Sequence, residues 1–269
     1  MWWLLALVPA LLLVAALLWF GVGYARFLGY HRHKGLERPR GPFLPYAVRE
    51  ALALVTLALW HVRAAFADRL RTPARVTGPP VLCLHGISQT GSNLWGMRRA
   101  LEACGRPTRA LSFGRFPSSR RRLAELIVPE LKELAAQSVD GTVDVVAHSL
   151  GGVVLRLVLA DHPELAPLIG RVVTLGSPHA GTAGIRGLPL GASFHRLGRR
   201  SDLLPSLPTL ADLRVTTVAA APDLVVYPAS TCHLPNSNRV DLAGVGHGGL
   251  LTRPEAIRAV LDALGAVPA

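Results

Sequence analysis

The stretch from Thr142 to Ala160 restricts this chain more than any other. Thr142-Val143-Asp144-Val145-Val146-Ala147 is an apolar, β-branched run that reads as a buried strand, and Val153 to Ala160 reads as a helix. Only His148-Ser149-Leu150-Gly151-Gly152 separates them, so a strand must turn sharply into a helix at Ser149. Such a turn strains its central residue and leaves no space for bulky side chains two positions to either side. Ala147 and Gly151 occupy those positions. The turn would lift the Ser149 hydroxyl clear of the sheet and aim the N–H of Leu150, at a helix start, toward an oxyanion. The competing reading is a glycine-rich helix start with an incidental serine. Strand before, helix after and small residues on both flanks weigh against it.

The same rhythm extends along the chain. Strands are expected at Val81 to His85, Thr108 to Phe113, Thr142 to Ala147, Arg171 to Gly176, Arg214 to Ala220 and Asn238 to Ala243. Helices are expected at Leu94 to Ala103, Ser118 to Gln137, Leu150 to Asp161 and Pro254 to Leu264, the last with proline in its first turn. The alternation predicts an α/β architecture, an open, mainly parallel sheet of about six strands with helices on both faces. Residues 181–212, rich in Gly, Pro, Leu and Arg, are too long for a plain connection and read as a lid or binding insertion.

Before this unit, Trp2 to Phe20 is an apolar run long enough, at ~1.5 Å per residue, to cross a hydrocarbon core of about 30 Å. Tryptophans and Phe20 mark its ends, and no Lys or Arg precedes it, which favours a retained anchor over a cleaved signal peptide. The expected organisation is therefore an anchor over 1–22, a basic juxtamembrane segment over 23–75 and a main domain over 76–269. Within the juxtamembrane segment, Ala51 to Trp60 predicts an interfacial or packing helix at about 46–66, too short in its apolar part to span. Arg26, Arg32, Lys34, Arg38 and Arg40 would keep the main domain on the cytoplasmic face, unless 46–66 inserts and moves it across. The net charge of +12 is almost wholly arginine, with no nucleic-acid reading motif beside it. Lipid headgroups account better for the clusters that flank apolar segments, at Arg26 to Arg40 and Arg63 to Arg75. Cys83, Cys104 and Cys232 have no metal-ligand spacing, so neither a metal site nor a disulfide framework is indicated, and one disulfide stays open.

Ala147-His148-Ser149-Leu150-Gly151 resembles the G-x-S-x-G turn of the α/β-hydrolase superfamily, with Ala in place of the first Gly. Upstream, Val81-Leu82-Cys83-Leu84-His85-Gly86-Ile87 is similar to the strand and His-Gly that bear that family's oxyanion loop. The resemblance implies that the backbone N–H of Ile87 is a second oxyanion donor. It also implies a base and a carboxylate in the order Ser, acid, His. His247, in Gly244-Val245-Gly246-His247-Gly248-Gly249 beyond the last strand, is the strongest base candidate. Asp223, directly after the fifth strand, is the matching acid, against a turn-residue reading that the Pro222-Asp223 pair also allows. Ser149, Asp223 and His247 each follow a different strand, which gathers them at one edge of the sheet. Asp144, Asp202, Asp212 and Asp241 rank below Asp223, and His85 reads as a structural loop residue.

Gly176-Ser177-Pro178-His179-Ala180-Gly181-Thr182 narrows the resemblance to bacterial triacylglycerol lipases and glycosylphosphatidylinositol-inositol deacylase-like serine esterases. In those relatives the segment follows the sixth strand and a lid-like insertion comes next. The resemblance implies that Leu188, Leu190, Leu203, Leu204 and Leu207 line an acyl pocket; that they cover the core is the alternative. His148 is expected in a packing or substrate-lining role, and His179 is a further lining candidate. The expected activity is hydrolysis of a lipid or acyl ester with no cofactor and no metal. Acyl transfer or thioester hydrolysis would use the same triad, and a catalytically silent lipid-binding scaffold is the reading from another class.

Overall fold

A computed structural model describes residues 18, 20–37, 42–62, 71–73, 75–114, 119–185, 197–199 and 201–266. Six parallel strands form one sheet: β1 (Val81–Leu84), β2 (Thr108–Leu111), β3 (Val143–His148), β4 (Ile169–Leu175), β5 (Arg214–Ala221) and β6 (Asn238–Ala243). Their spatial order is β2-β1-β3-β4-β5-β6. Helices α1 (20–34), α2 (Phe43–Val62), α3 (Trp95–Ala103), α4 (Arg120–Ala136), α5 (Leu150–Asp161), α6 (Leu203–Ser206), α7 (Gly249–Thr252) and α8 (Pro254–Leu264) accompany it.

The central strands are apolar because helices cover both faces, as a parallel sheet requires, whereas the edge strand β6 is polar and largely exposed. Every residue of β1 and β3 is buried. Successive side chains of a strand point to opposite faces. Leu82, Leu84, Val145 and Ala147 meet Ile127 and Leu131 of α4 and Val154 and Leu157 of α5. Val81, Cys83 and Val146 meet Met97 and Leu101 of α3 and Val260 and Leu264 of α8. All three cysteines are free and buried, and burial pushes the Cys83 thiol up to about 12. The expected helix limits hold closely: Ser119 caps α4 by accepting the Arg122 N–H at 3.1 Å, and α8 ends at Gly265 with φ +60°.

The order of strands reverses between β1 and β3, so the chain leaves their carboxyl ends in opposite directions and opens a crevice there. The insertion leaves the sheet after β4, the fourth strand in chain order, so the family's sixth-strand count does not transfer to the described strands of this chain. Residues 186–196 and 200 of the insertion lie outside the described residues, as do 1–17 and 19 of the expected anchor.

The helix expected at about 46–66 begins earlier, at Phe43. Over Phe43–His61 it is long and apolar enough to cross a membrane by length and composition. It nevertheless packs on the sheet-bearing unit: Leu57 joins the core beside α3 and α8, and a Cβ on Gly96 would stand 2.6 Å from the Trp60 ring. Helix α1 packs Phe27 against Ala183 and Tyr227, with the Phe27 and Tyr227 ring centroids 5.3 Å apart. The sheet begins shortly after Val76, at Val81, and the two helices before it pack on the sheet-bearing unit, α2 as the packing helix that was one of the two expectations for it.

Candidate active site

At the crevice, Ser149 takes φ +52° and ψ −118°, a region that L-residues rarely adopt. Its neighbours hold it there. The Ser149 N–H donates to the Leu175 carbonyl at 2.8 Å, which ties the turn to the end of β4. A Cβ on Gly151 would lie 2.6 Å from the Leu84 carbonyl oxygen, and Ala147 is fully buried, so the flanking small residues are a steric requirement. On the other side, Leu84 pairs with Ala147, which sets the loop after β1 against the serine; a Cβ on Gly86 would stand 3.0 Å from the Ser149 Cβ.

Ser149, His247 and Asp223 meet, although 98 and 24 positions separate successive members. The Ser149 Oγ lies 3.0 Å from His247 Nε2, and His247 Nδ1–H donates to Asp223 Oδ2 at 2.7 Å. Asp223 Oδ1 accepts the N–H groups of Val225 and Val226 at 2.7 and 2.8 Å, which leaves Oδ2 aimed at the imidazole. Asp223 is 2 % exposed and the His247 side chain 14 %, so the pair is shielded from solvent screening. Burial alone would lower the His247 pKa, but the charge and hydrogen bond of Asp223, with the charge of Glu50, raise it above the ordinary histidine value. With Nδ1 holding a proton for Asp223, Nε2 of the neutral ring is left as an acceptor for the serine proton. Among the described residues, neither the Leu150 nor the Ile87 N–H has a hydrogen-bond acceptor. Two unengaged donors beside the serine are what an oxyanion needs.

Other expectations fare differently. His148 is 1 % exposed, with Nδ1 facing Gln89 Oε1 at 3.0 Å and Nε2 facing the His247 carbonyl at 3.2 Å; a neutral ring carries one N–H and donates to one of them at a time. These are packing contacts, one of the two roles expected of it. His179 also turns inward, with Nε2 3.1 Å from Thr174 Oγ1, and burial lowers its pKa to about 3. Leu203 packs on the core together with buried Leu204 and Leu207, while Leu188 and Leu190 lie outside the described residues. His85 is structural, as expected: Nδ1–H donates to the Gly86 carbonyl, Nε2 accepts the Phe113 N–H, and the ring stacks on Phe113. Asp144 sits at the far end of β3, paired with Arg106 at 2.6 Å, and Asp241 faces His233. Two cavities, of about 400 and 430 Å³, open near the amino ends of the strands, at the opposite edge from Ser149.

Three residues with no signal in the local pattern matter here. The Gln89 carbonyl oxygen accepts the Gly86 N–H at 2.8 Å and so braces the loop that bears Ile87. Arg156 of α5 donates to the carbonyls of His179, Leu204, Leu207 and Pro208, which clamps the end of the insertion. Glu50 of α2 accepts N–H groups of the loop around His247. Each acts across long sequence separations, where periodicity carries no information.

The fold is that of the α/β-hydrolases. The chain superposes on Aspergillus fumigatus lipase B with a TM-score of 0.61 at 17 % identity, covering 74 % of this chain and 57 % of that one. It superposes on the mature Bacillus licheniformis lipase BlEst2 with a TM-score of 0.58 at 17 % identity, covering 75 % and 97 %. A bromoperoxidase from Bacillus anthracis matches with a TM-score of 0.50 at 16 % identity, covering 71 % and 93 %. The chain thus spans little more than half the length of the Aspergillus lipase and nearly all of the Bacillus one. No protein-family model and no curated protein sequence matches the chain.

Proposed function

We propose that this chain is a serine hydrolase that cleaves carboxylic esters through an acyl-enzyme on Ser149, with lipid or acyl esters as the substrate class. The observation that carries the reading is the continuous contact from Ser149 Oγ through His247 to Asp223, at 3.0 and 2.7 Å. In the reaction, Oγ attacks the ester carbonyl as His247 Nε2 takes its proton, and Asp223 stabilises the imidazolium. The carbonyl oxygen becomes an oxyanion held by the N–H groups of Leu150 and Ile87. Collapse breaks the bond to the alcohol, which leaves with the proton from His247. Water, deprotonated by the same imidazole, then cleaves the acyl-serine and restores the hydroxyl.

Two features support a lipid substrate at a membrane. Structural neighbours include proteins named as lipases. In addition, Leu44, Val48, Leu52, Val55 and Leu59 of α2 recur at helical spacing and are 44 to 64 % exposed. We infer that α2 lies along the lipid surface on this stripe, its opposite side being engaged with the sheet-bearing unit, while the apolar run at Trp2 to Phe20 anchors the chain. The test is a chain-length series of p-nitrophenyl esters with the wild type and Ser149→Ala. Hydrolysis that rises with acyl length and vanishes in the variant is expected. Equal turnover at all lengths would remove the lipid assignment, and turnover that survives the substitution would remove the serine mechanism.

A further inference from the structure

The loop that carries His247 is Gly244-Val245-Gly246-His247-Gly248-Gly249. Four glycines in six residues give it almost no side chains with which to fix itself, and glycine backbone is the most costly to order. Yet an imidazole displaced by even 1 Å is a poor partner for a serine. The anchor comes from outside the loop. The carboxylate of Glu50, 196 to 199 positions earlier on α2, accepts the N–H of Gly246 at 3.1 Å and of Gly249 at 3.1 Å on Oε1, and the N–H of Gly248 at 2.9 Å on Oε2. These donors flank His247 on both sides.

The glycines are shaped to receive this carboxylate. A Cβ on Gly246 would stand 2.2 Å from the Glu50 Cδ, and one on Gly249 would stand 2.8 Å from Oε1. Any side chain at either position would occupy the carboxylate's place. Glu50 is 4 % exposed, and a buried carboxylate with three N–H donors is a fixed element rather than a solvated surface charge. No basic side chain pairs with it among the described contacts, so its hydrogen bonds are spent entirely on the histidine loop.

We propose that Glu50 is the positioning residue of the His247 loop, so that α2 is part of the active-site machinery. The proposal rests on the serine-hydrolase reading. Glu50 sets the backbone of the loop while Asp223 sets the ring; burial raises the Glu50 pKa against the opposing N–H bonds of Gly248 and Gly249, and in its charged form Glu50 also helps to keep the imidazolium stable. The other titratable and charged groups about this pair are Tyr46 and Arg49 on α2, Asp223 after β5, His148 at the end of β3 and Arg253 after α7.

The test uses the full chain in detergent, with Glu50→Gln, Glu50→Asp and Ser149→Ala compared on a soluble p-nitrophenyl ester across pH. The imidazole must be neutral to accept the serine proton, so activity falls as pH drops through its pKa. Loss of the Glu50 charge lowers that pKa. Glu50→Gln is therefore expected to reduce kcat about 10- to 100-fold with KM within about twofold, and to move the acid limb of kcat/KM to lower pH. Glu50→Asp keeps the charge but draws it back from the loop; kcat should fall while the acid limb stays. Wild-type kcat in folded Glu50→Gln, or a fall in kcat with no movement of the acid limb, would overturn the proposal. If Glu50→Gln does not fold, Glu50→Asp decides, and wild-type kcat there overturns it. Failure of both to fold assigns Glu50 to stability alone and also overturns it. Activity that persists in Ser149→Ala would instead overturn the serine reading, which keeps the two failures apart.

Discussion

Ser149 is held at φ +52° by contacts on both sides, and each contact can be broken singly. Ser149→Ala should reduce kcat by about 10⁴- to 10⁶-fold while leaving the fold intact, as measured by ester turnover beside thermal unfolding. Asp223→Asn should cost about 10⁴-fold, because an amide no longer selects the tautomer that leaves Nε2 free to accept. Since Asp223 and Glu50 hold the His247 pKa above its ordinary value, wild-type kcat/KM should already be falling at a pH where an unperturbed histidine would still be neutral. Gly151→Ala forces a methyl to within 2.6 Å of the Leu84 carbonyl and should destabilise the protein by about 1–3 kcal/mol in denaturant unfolding. That Ser149, Asp223 and His247 would gather at one edge of the sheet was legible in the sequence because each lies just beyond the end of a different strand. Glu50 was not, since beside Arg49 it reads as a polar flank of an apolar helix. The inward turn of the His148 and His179 rings was not legible for a related reason: a strand end tells which edge a residue is near, not which way its ring turns.

At the scale of elements, the strands and the helices α3, α4, α5 and α8 were legible because their apolar runs or faces are strong and their limits carry proline, serine or glycine signals. The insertion was legible only as a break in that rhythm, because its end is fixed by carbonyls that Arg156 gathers rather than by a periodic face. Arg156→Met leaves those buried carbonyls without a donor. Limited proteolysis should then cut first between Leu203 and Pro208, in a protein destabilised by ~3 kcal/mol or more. Helix α2 presents two faces, Glu50 and Leu57 inward and the Leu44 to Leu59 stripe outward. Val55→Asp should therefore lower turnover of a long-chain ester embedded in vesicles by at least about fivefold, with turnover of a soluble short-chain ester unchanged. Equal loss on both substrates would remove the lipid-facing role of the stripe.

For the molecule as a whole, the sequence led to a boundary near Val76, because the composition changes there and the strands begin. Packing joins the two helices before that boundary to the sheet-bearing unit. α1 rests on the loop that follows Asp223, and α2 holds the loop of His247, so the two helices nearest the expected anchor grip the acid and the base of the candidate triad. Two helices that precede the sheet in sequence thereby reach the candidate site at its carboxyl edge. Every step of the proposed chemistry needs Ser149 as the nucleophile. The most direct test is a fluorophosphonate probe on the folded, detergent-solubilised full chain, read by mass spectrometry of the adducted peptide. The expected result is one adduct, on Ser149, abolished by Ser149→Ala and slowed by Asp223→Asn. Absence of an adduct in folded wild type, or an equal adduct in Ser149→Ala, would contradict the account.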